Sequence, residues 1–214
     1  MGPKRYGFYN DLLLSYIFLN MIVQNDRLQK MIQQQKAARV VMLGATSVGK
    51  TTLIDYIIKG TYNPLTAPTA AAAFFEYKSS GPNPKTIHIW DTAGMERYRA
   101  MNSVYYRDAI GALLVFDLTN KDSFDELEGW LTTFITNSSP NPVIILIGNK
   151  KDLGDNIEVT EEEIQQFSDK HNLKYFSTSA LTGDGVREMF DALIEMLPDT
   201  IAETVELPPK SGCC

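Results

Sequence analysis

The chain has 214 residues, enough for one ordinary domain with a sizeable core and a small appendage. Hydrophobic residues make up 44% and charged residues 21%, the composition of a soluble globular protein rather than of a disordered or fibrous one. A net charge of −6 excludes a general electrostatic pull toward nucleic acid or an anionic membrane, so contact with either requires a local feature.

Residues 1–36 read as an N-terminal extension. Leu12, Leu13, Leu14, Tyr16, Ile17, Phe18, Leu19, Met21, Ile22 and Val23 form a mostly apolar run after Lys4 and Arg5, broken by Asn20. The pattern resembles the apolar region of a secretory signal, but it falls short of the roughly 20 residues a membrane span needs. Three readings stand: a start codon placed too early, with Met31 as the true start; an interfacial helix; or a partner-binding helix. Gly2 lacks the myristoylation pattern, because Tyr6 stands where Ser or Thr is required.

Arg39–Leu43 is an apolar run that predicts a buried strand, followed by a glycine-rich turn and a helix from about Gly49 to Lys59. Pro64 and Pro68 mark a loop. Phe74–Lys78 and Thr86–Trp90 predict two strands joined by a turn at Gly81, Pro82, Asn83 and Pro84, a spacing that suits an antiparallel hairpin. An irregular stretch to about Asp108 precedes Ile110–Phe116, whose continuous apolar character fits a parallel strand covered on both faces.

Ser123 and Glu126 have capping-box spacing before a helix carrying Leu127, Trp130, Leu131 and Phe134 on one face. Val143–Ile147 is another predicted buried strand. Thr160 and Glu163 repeat the capping device before a helix ending near His171. Tyr175–Thr178 is the last predicted strand, and Val186, Met189, Phe190, Leu193 and Leu197 stripe the last helix. Strands alternating with helices predict an α/β fold: three layers, a six-stranded mostly parallel sheet with one antiparallel strand, and helices on both faces. The predicted domain spans 37–198, and 199–214 reads as a polar, flexible tail.

Gly44-Ala45-Thr46-Ser47-Val48-Gly49-Lys50-Thr51 fits G-x-x-x-x-G-K-[ST] and lies between a predicted strand and a predicted helix. Glycines let the backbone wrap phosphates, so that N–H groups and the helix N-terminus face the anion. Lys50 is expected to reach the β- and γ-phosphates and Thr51 to ligate Mg²⁺. Gly44, Thr46, Ser47, Val48, Gly49 and Thr52 complete the candidate phosphate site. The loop by itself is compatible with ATP or GTP.

Asn149-Lys150-Lys151-Asp152 follows a buried strand, at the carboxyl end where open α/β sheets bind ligands. A carboxylate at Asp152 suits the N1–H and exocyclic amine of guanine, whereas adenine would leave it unpaired. Ser179 and Ala180, after the next strand, are placed to meet the base carbonyl. Asp91, in Asp91-Thr92-Ala93-Gly94, is a candidate for the Mg²⁺ shell, and Gly94 allows an N–H to approach the γ-phosphate. Thr69 is the matching sensor in the preceding loop, by its hydroxyl on Mg²⁺ and its N–H on the γ-phosphate. Loss of that phosphate would release both loops.

The order of these motifs resembles the Ras superfamily. Tyr105-Tyr106-Arg107-Asp108-Ala109, Leu114-Val115-Phe116-Asp117-Leu118-Thr119-Asn120 and the terminal Cys213-Cys214 resemble the Rab family in particular. The resemblance covers about Ala37–Leu197 plus the terminal pair. It implies a GTP/GDP switch in vesicle-mediated membrane traffic, with GTP/GDP and Mg²⁺ as ligands. It also implies an exchange factor, a GTPase-activating protein, a GDP-dissociation inhibitor or escort protein, and GTP-dependent effectors. By the same resemblance Tyr62 packs across the guanine, and Cys213 and Cys214 carry two prenyl anchors, which suffice for stable membrane attachment. They are the only cysteines, and as chain neighbours they make a poor structural staple. The expected protein is a monomer without nucleic-acid partners, cycling between cytosol and the cytoplasmic face of an intracellular membrane.

Two departures bear on catalysis. Met95 replaces the family's water-orienting glutamine, and a thioether is a poor hydrogen-bonding group. In phosphoryl transfer of this type that glutamine, with a supplied arginine, underlies a large part of a rise of about 10⁵-fold. Thr46 places a branched side chain near the γ-phosphate. The expected catalytic set is therefore Lys50, Thr69, Gly94 and Met95, with slow hydrolysis unless a partner assists. A further departure is Ala70-Ala71-Ala72-Ala73-Phe74 in the effector strand, whose small side chains offer few specific contacts, and Leu181 stands where many relatives have lysine. The competing readings are a binding module that holds GTP almost permanently, favoured by Met95 and Thr46, and an ATP-using P-loop enzyme, disfavoured by Asp152.

Overall fold

The computed structural model describes residues 37–63, 69, 72–80, 84–92 and 104–198. The extension 1–36, Gly94, Met95 and the terminal Cys213 and Cys214 lie outside these described residues.

Six strands form one sheet: β1 (Ala38–Leu43), β2 (Ala72–Lys78), β3 (Thr86–Thr92), β4 (Gly111–Asp117), β5 (Val143–Asn149) and β6 (Lys174–Ser177). Their order is β2-β3-β1-β4-β5-β6, and β2–β3 is the antiparallel pair while the others run parallel. The helices are α1 (Lys50–Lys59), α2 (Lys121–Asp125), α3 (Leu127–Asn137), α4 (Glu161–His171) and α5 (Val186–Met196), with a 3₁₀ helix at Lys151–Asn156. This is the α/β architecture the sequence predicts.

β4 is buried at every position, as a strand covered on both faces must be. Alternate side chains separate the two faces. Val41, Leu43, Leu114, Phe116 and Leu146 share a core with Leu127, Trp130, Leu131 and Phe134 of α3 and Ile164 of α4. Val40, Met42, Leu113 and Val115 lie outside that cluster and are fully buried too. They point to the opposite face, where α5 packs on β5 and α1. The ring of Phe190 on α5 meets Tyr77 of β2 edge-on at 4.8 Å.

Several strand boundaries differ from the sequence expectation: β1 starts one residue earlier, β4 lies one residue later at Gly111–Asp117, and β5 runs on to Asn149. β2 begins at Ala72 and β3 runs on to Thr92, because Ala72 and Ala73 pair with Thr92 and Asp91. The Thr92 hydroxyl also donates to the Met42 carbonyl at 2.8 Å. Alanine is a poor strand former, and here the ladder overrides propensity. β6 lies one residue earlier than predicted.

The Ser123/Glu126 capping box does not form. Asn120 caps instead, accepting the Ser123 N–H on its side chain, so helix begins at Lys121. Ser123 is buried within that first helix and its hydroxyl donates to the Asn120 carbonyl at 2.7 Å. Glu126 falls at the junction of α2 and α3. The Thr160/Glu163 box forms as expected, with both reciprocal bonds present.

Candidate functional site

The carboxyl ends of β1, β3 and β5 carry the candidate residues. β1 ends at Leu43, and Gly44 turns the chain out of the sheet with φ +131°. A β-carbon there would lie 2.0 Å from the Val115 carbonyl oxygen, so only glycine lets the loop run against β4. The loop ends at Gly49, which caps α1 in the left-handed region and adds no side-chain bond. No acidic residue occupies the first turn of α1, so its free N–H groups and dipole favour an anion.

Lys50 is buried at the start of α1, and its Nζ donates to the carbonyls of Gly44 and Ala45 at 2.9 and 2.7 Å. Desolvation pulls its pKa down to about 8, against the opposing field of Asp91. Thr46 and Ser47 are exposed on the outer side of the loop, and Val48 is buried. Thr52 is partly buried.

Thr51, Thr69 and Asp91 converge from α1, the following loop and β3. The Thr51 and Thr69 hydroxyls donate to Asp91 Oδ2 at 2.5 and 2.7 Å and lie 2.9 Å from each other. Asp91 is fully buried, and its other oxygen, Oδ1, has no hydrogen-bond partner. A buried carboxylate oxygen without a partner is costly unless something else meets it. Together with two hydroxyls it makes an all-oxygen donor set, which fits Mg²⁺.

Asn149 lies at the end of β5, buried, and ties three segments together. Its Nδ2 donates to the Val48 carbonyl at 2.9 Å. Its Oδ1 accepts from the Thr178 hydroxyl at 3.2 Å and the Ala180 N–H at 3.1 Å. The phosphate loop and the Ser179-Ala180 loop are thus held to one side chain.

Asp152 is exposed on the 3₁₀ helix, and its Oδ1 accepts the Ser179 hydroxyl at 2.5 Å. Ser179 Oγ in turn accepts the Thr182 N–H at 3.1 Å. Lys150 has φ +67° and reaches Asp117 Oδ2 at 2.5 Å. Tyr62 is 42% exposed beyond α1, and no described hydrogen bond or ring contact joins it to the guanine-side loops.

The structure therefore brings Lys50, Thr51, Thr69 and Asp91 to one centre, and Asn149, Lys150, Asp152, Ser179 and Ala180 to a second beside it. Asp117 joins this second centre without being a candidate from sequence. Its one visible signal is an acidic residue closing an otherwise apolar strand run.

Residues 39–199 match the Ras family. Among similar proteins is Ras-related protein Rab-27B of Homo sapiens, 36% identical over 180 residues, which are 78% of this chain and 83% of that one. Ras-related protein RABA6b of Arabidopsis thaliana is 37% identical over 171 residues, 79% of this chain and 74% of that one. Ras-related protein Rab-5B of Plasmodium falciparum (isolate 3D7) is 32% identical over 189 residues, 87% and 90% of the two chains.

Proposed function

The chain belongs to the Rab branch of the Ras family of small GTPases, and we propose from this premise that it is a slowly hydrolysing switch whose off-step depends on a partner. Membership makes it a guanine-nucleotide-binding GTPase acting as a GTP/GDP switch in membrane traffic, served by exchange factors, GTPase-activating proteins, a GDP-dissociation inhibitor and effectors. Among the described residues no helix is long and apolar enough to cross a membrane. Attachment through prenyl groups on Cys213 and Cys214 is the proposed route to the vesicle surface.

The observation carrying the site assignment is Asn149 bridging the phosphate loop and the Ser179-Ala180 loop. One ligand with phosphates at one end and a base at the other matches two loops held at fixed separation. Backbone N–H groups from Gly44 to Thr52 receive the phosphates, and the Lys50 ammonium neutralises the β- and γ-groups. Asp152 accepts from guanine, the Ala180 N–H faces the base carbonyl, and Tyr62 closes over the ring.

Thr51, Thr69 and Asp91 hold Mg²⁺, with the partnerless Asp91 oxygen as support. The ion, when bound, offsets phosphate charge during transfer. Thr69 and Gly94 sense the γ-phosphate, and its departure frees the two loops that carry them. Met95 leaves the attacking water without a side-chain amide to orient it, which is the reason for slow turnover. Met95 and the exposed Thr46 also favour a second reading, a module that stays loaded with GTP and is reset by exchange.

The test is the nucleotide retained by the purified full chain, followed by single-turnover hydrolysis of bound GTP beside Met95→Gln. Retained guanine nucleotide, slow wild-type turnover and a clearly faster variant are expected. Retained ATP would overturn the guanine assignment. Equal rates would overturn the role of Met95.

A further inference from the structure

Asp117 ends β4 beside the end of β5, where Asp117 and Asn149 are paired in register and the Leu118 N–H donates to the Asn149 carbonyl at 3.0 Å. Its carboxylate is buried and fully engaged. Oδ1 accepts the backbone N–H and the hydroxyl of Thr119 at 2.9 and 2.8 Å, and Oδ2 meets the Lys150 ammonium at 2.5 Å.

Lys150 is the hinge between two site residues. It follows Asn149, which is held by three hydrogen bonds, and it caps the 3₁₀ helix that carries Asp152. Its φ of +67° is a conformation that a β-carbon disfavours. Such a residue persists only where its surroundings over-determine it. The Asp117 carboxylate supplies that constraint from the neighbouring strand. A buried carboxylate that loses its cation is costly, so the pair holds from both sides.

The geometry points to Asp117 as a positioning residue for guanine selectivity: by anchoring Lys150 it fixes the turn that presents Asp152 to the base edge. In this role Asp117 acts through Lys150. This role presupposes that Asp152 reads guanine, as proposed above. The discriminating ligand pair is GDP and IDP, because IDP lacks the exocyclic amine that Asp152 accepts from. A displaced Asp152 loses more with GDP than with IDP, whereas general loosening of the domain weakens both alike.

Release of GDP and of IDP from the full chain, with Mg²⁺, is measured for wild type, Asp117→Asn, Lys150→Met and the double variant. Asp117→Asn is expected to release GDP about tenfold faster while IDP release changes much less, the loss corresponding to about one hydrogen bond to a charged acceptor. In the Lys150→Met background, Asp117→Asn is expected to add little, because both changes remove the same anchor. Equal acceleration of GDP and IDP release, unchanged GDP release, or additive effects in the double variant would overturn the role. Should Asp117→Asn fail to fold, Lys150→Met alone decides, and wild-type selectivity in that variant overturns it. A wild-type chain that holds no guanine nucleotide refutes the guanine reading instead.

Discussion

The side-chain nitrogen of Asn149 donates to the backbone oxygen of Val48 at 2.9 Å, across 101 positions of sequence. With Thr178 and Ala180 on its oxygen, this one amide satisfies three polar groups from two loops inside a buried site. Asn149→Ala would leave those groups without partners, at about 1–3 kcal/mol. Denaturant midpoints should report that loss, together with faster release of bound nucleotide. A variant of wild-type stability and retention would show that the bridge is dispensable.

Gly44→Ala tests the exit from β1. The new methyl would stand 2.0 Å from the Val115 backbone oxygen, at a φ of +131°. Neither the backbone of β4 nor the loop can yield without breaking the sheet, so a cost of about 3 kcal/mol is expected from strain and overpacking together. Urea unfolding measures it, and a change below 1 kcal/mol, roughly the smallest cost of such overpacking, would contradict the crowding.

Phe134→Ala probes the core away from the site. Phe134 is fully buried on α3 and meets Tyr106 at 5.5 Å between ring centroids. Deleting such a ring costs about 3–5 kcal/mol. Thermal melts should fall accordingly while the preference for GDP over IDP stays at the wild-type ratio.

Acid stability should depend on Glu163. A hydrogen bond from Lys121, with the Thr160 N–H and hydroxyl, lowers its carboxyl from the usual 4.5 to about 2. A depressed carboxylate contributes stability that is complete above about pH 4.5 and is lost as pH falls toward 2. Glu163→Gln should flatten the pH dependence of the melting temperature inside that window and leave neutral-to-alkaline slopes alone. Because the groups are exposed, added salt should shrink the difference.

Asn120→Ala tests the observed start of α2. Losing an N-cap side chain costs about 1 kcal/mol, read as a shift in the denaturation midpoint. No shift would return the helix start to the Ser123/Glu126 alternative.

The local chemistry is legible in the order of residues along the chain. Gly44, Gly49, Lys50 and Thr51 are legible because wrapping backbone around a phosphate demands glycine at fixed spacing, followed at once by a helix. The Leu127, Trp130, Leu131 and Phe134 stripe is legible because burial of one helix face imposes its own period. Thr160 and Glu163 announce a helix start because both partners of the box lie within one turn.

Which distant groups meet is set by the fold. Ser123 and Glu126 have the spacing of a cap, but Ser123 is buried beside Asp117 and Asn120 caps the helix instead. Asn149 reads in sequence as the first residue of the base-reading turn, and the fold makes it the tie between two loops. Asp117 falls just beyond the strand expected from sequence, and only the parallel register of β4 and β5 sets its carboxylate against Lys150. Such pairings depend on strand order, which local propensity does not encode, because a strand's own residues specify its burial and not its neighbour.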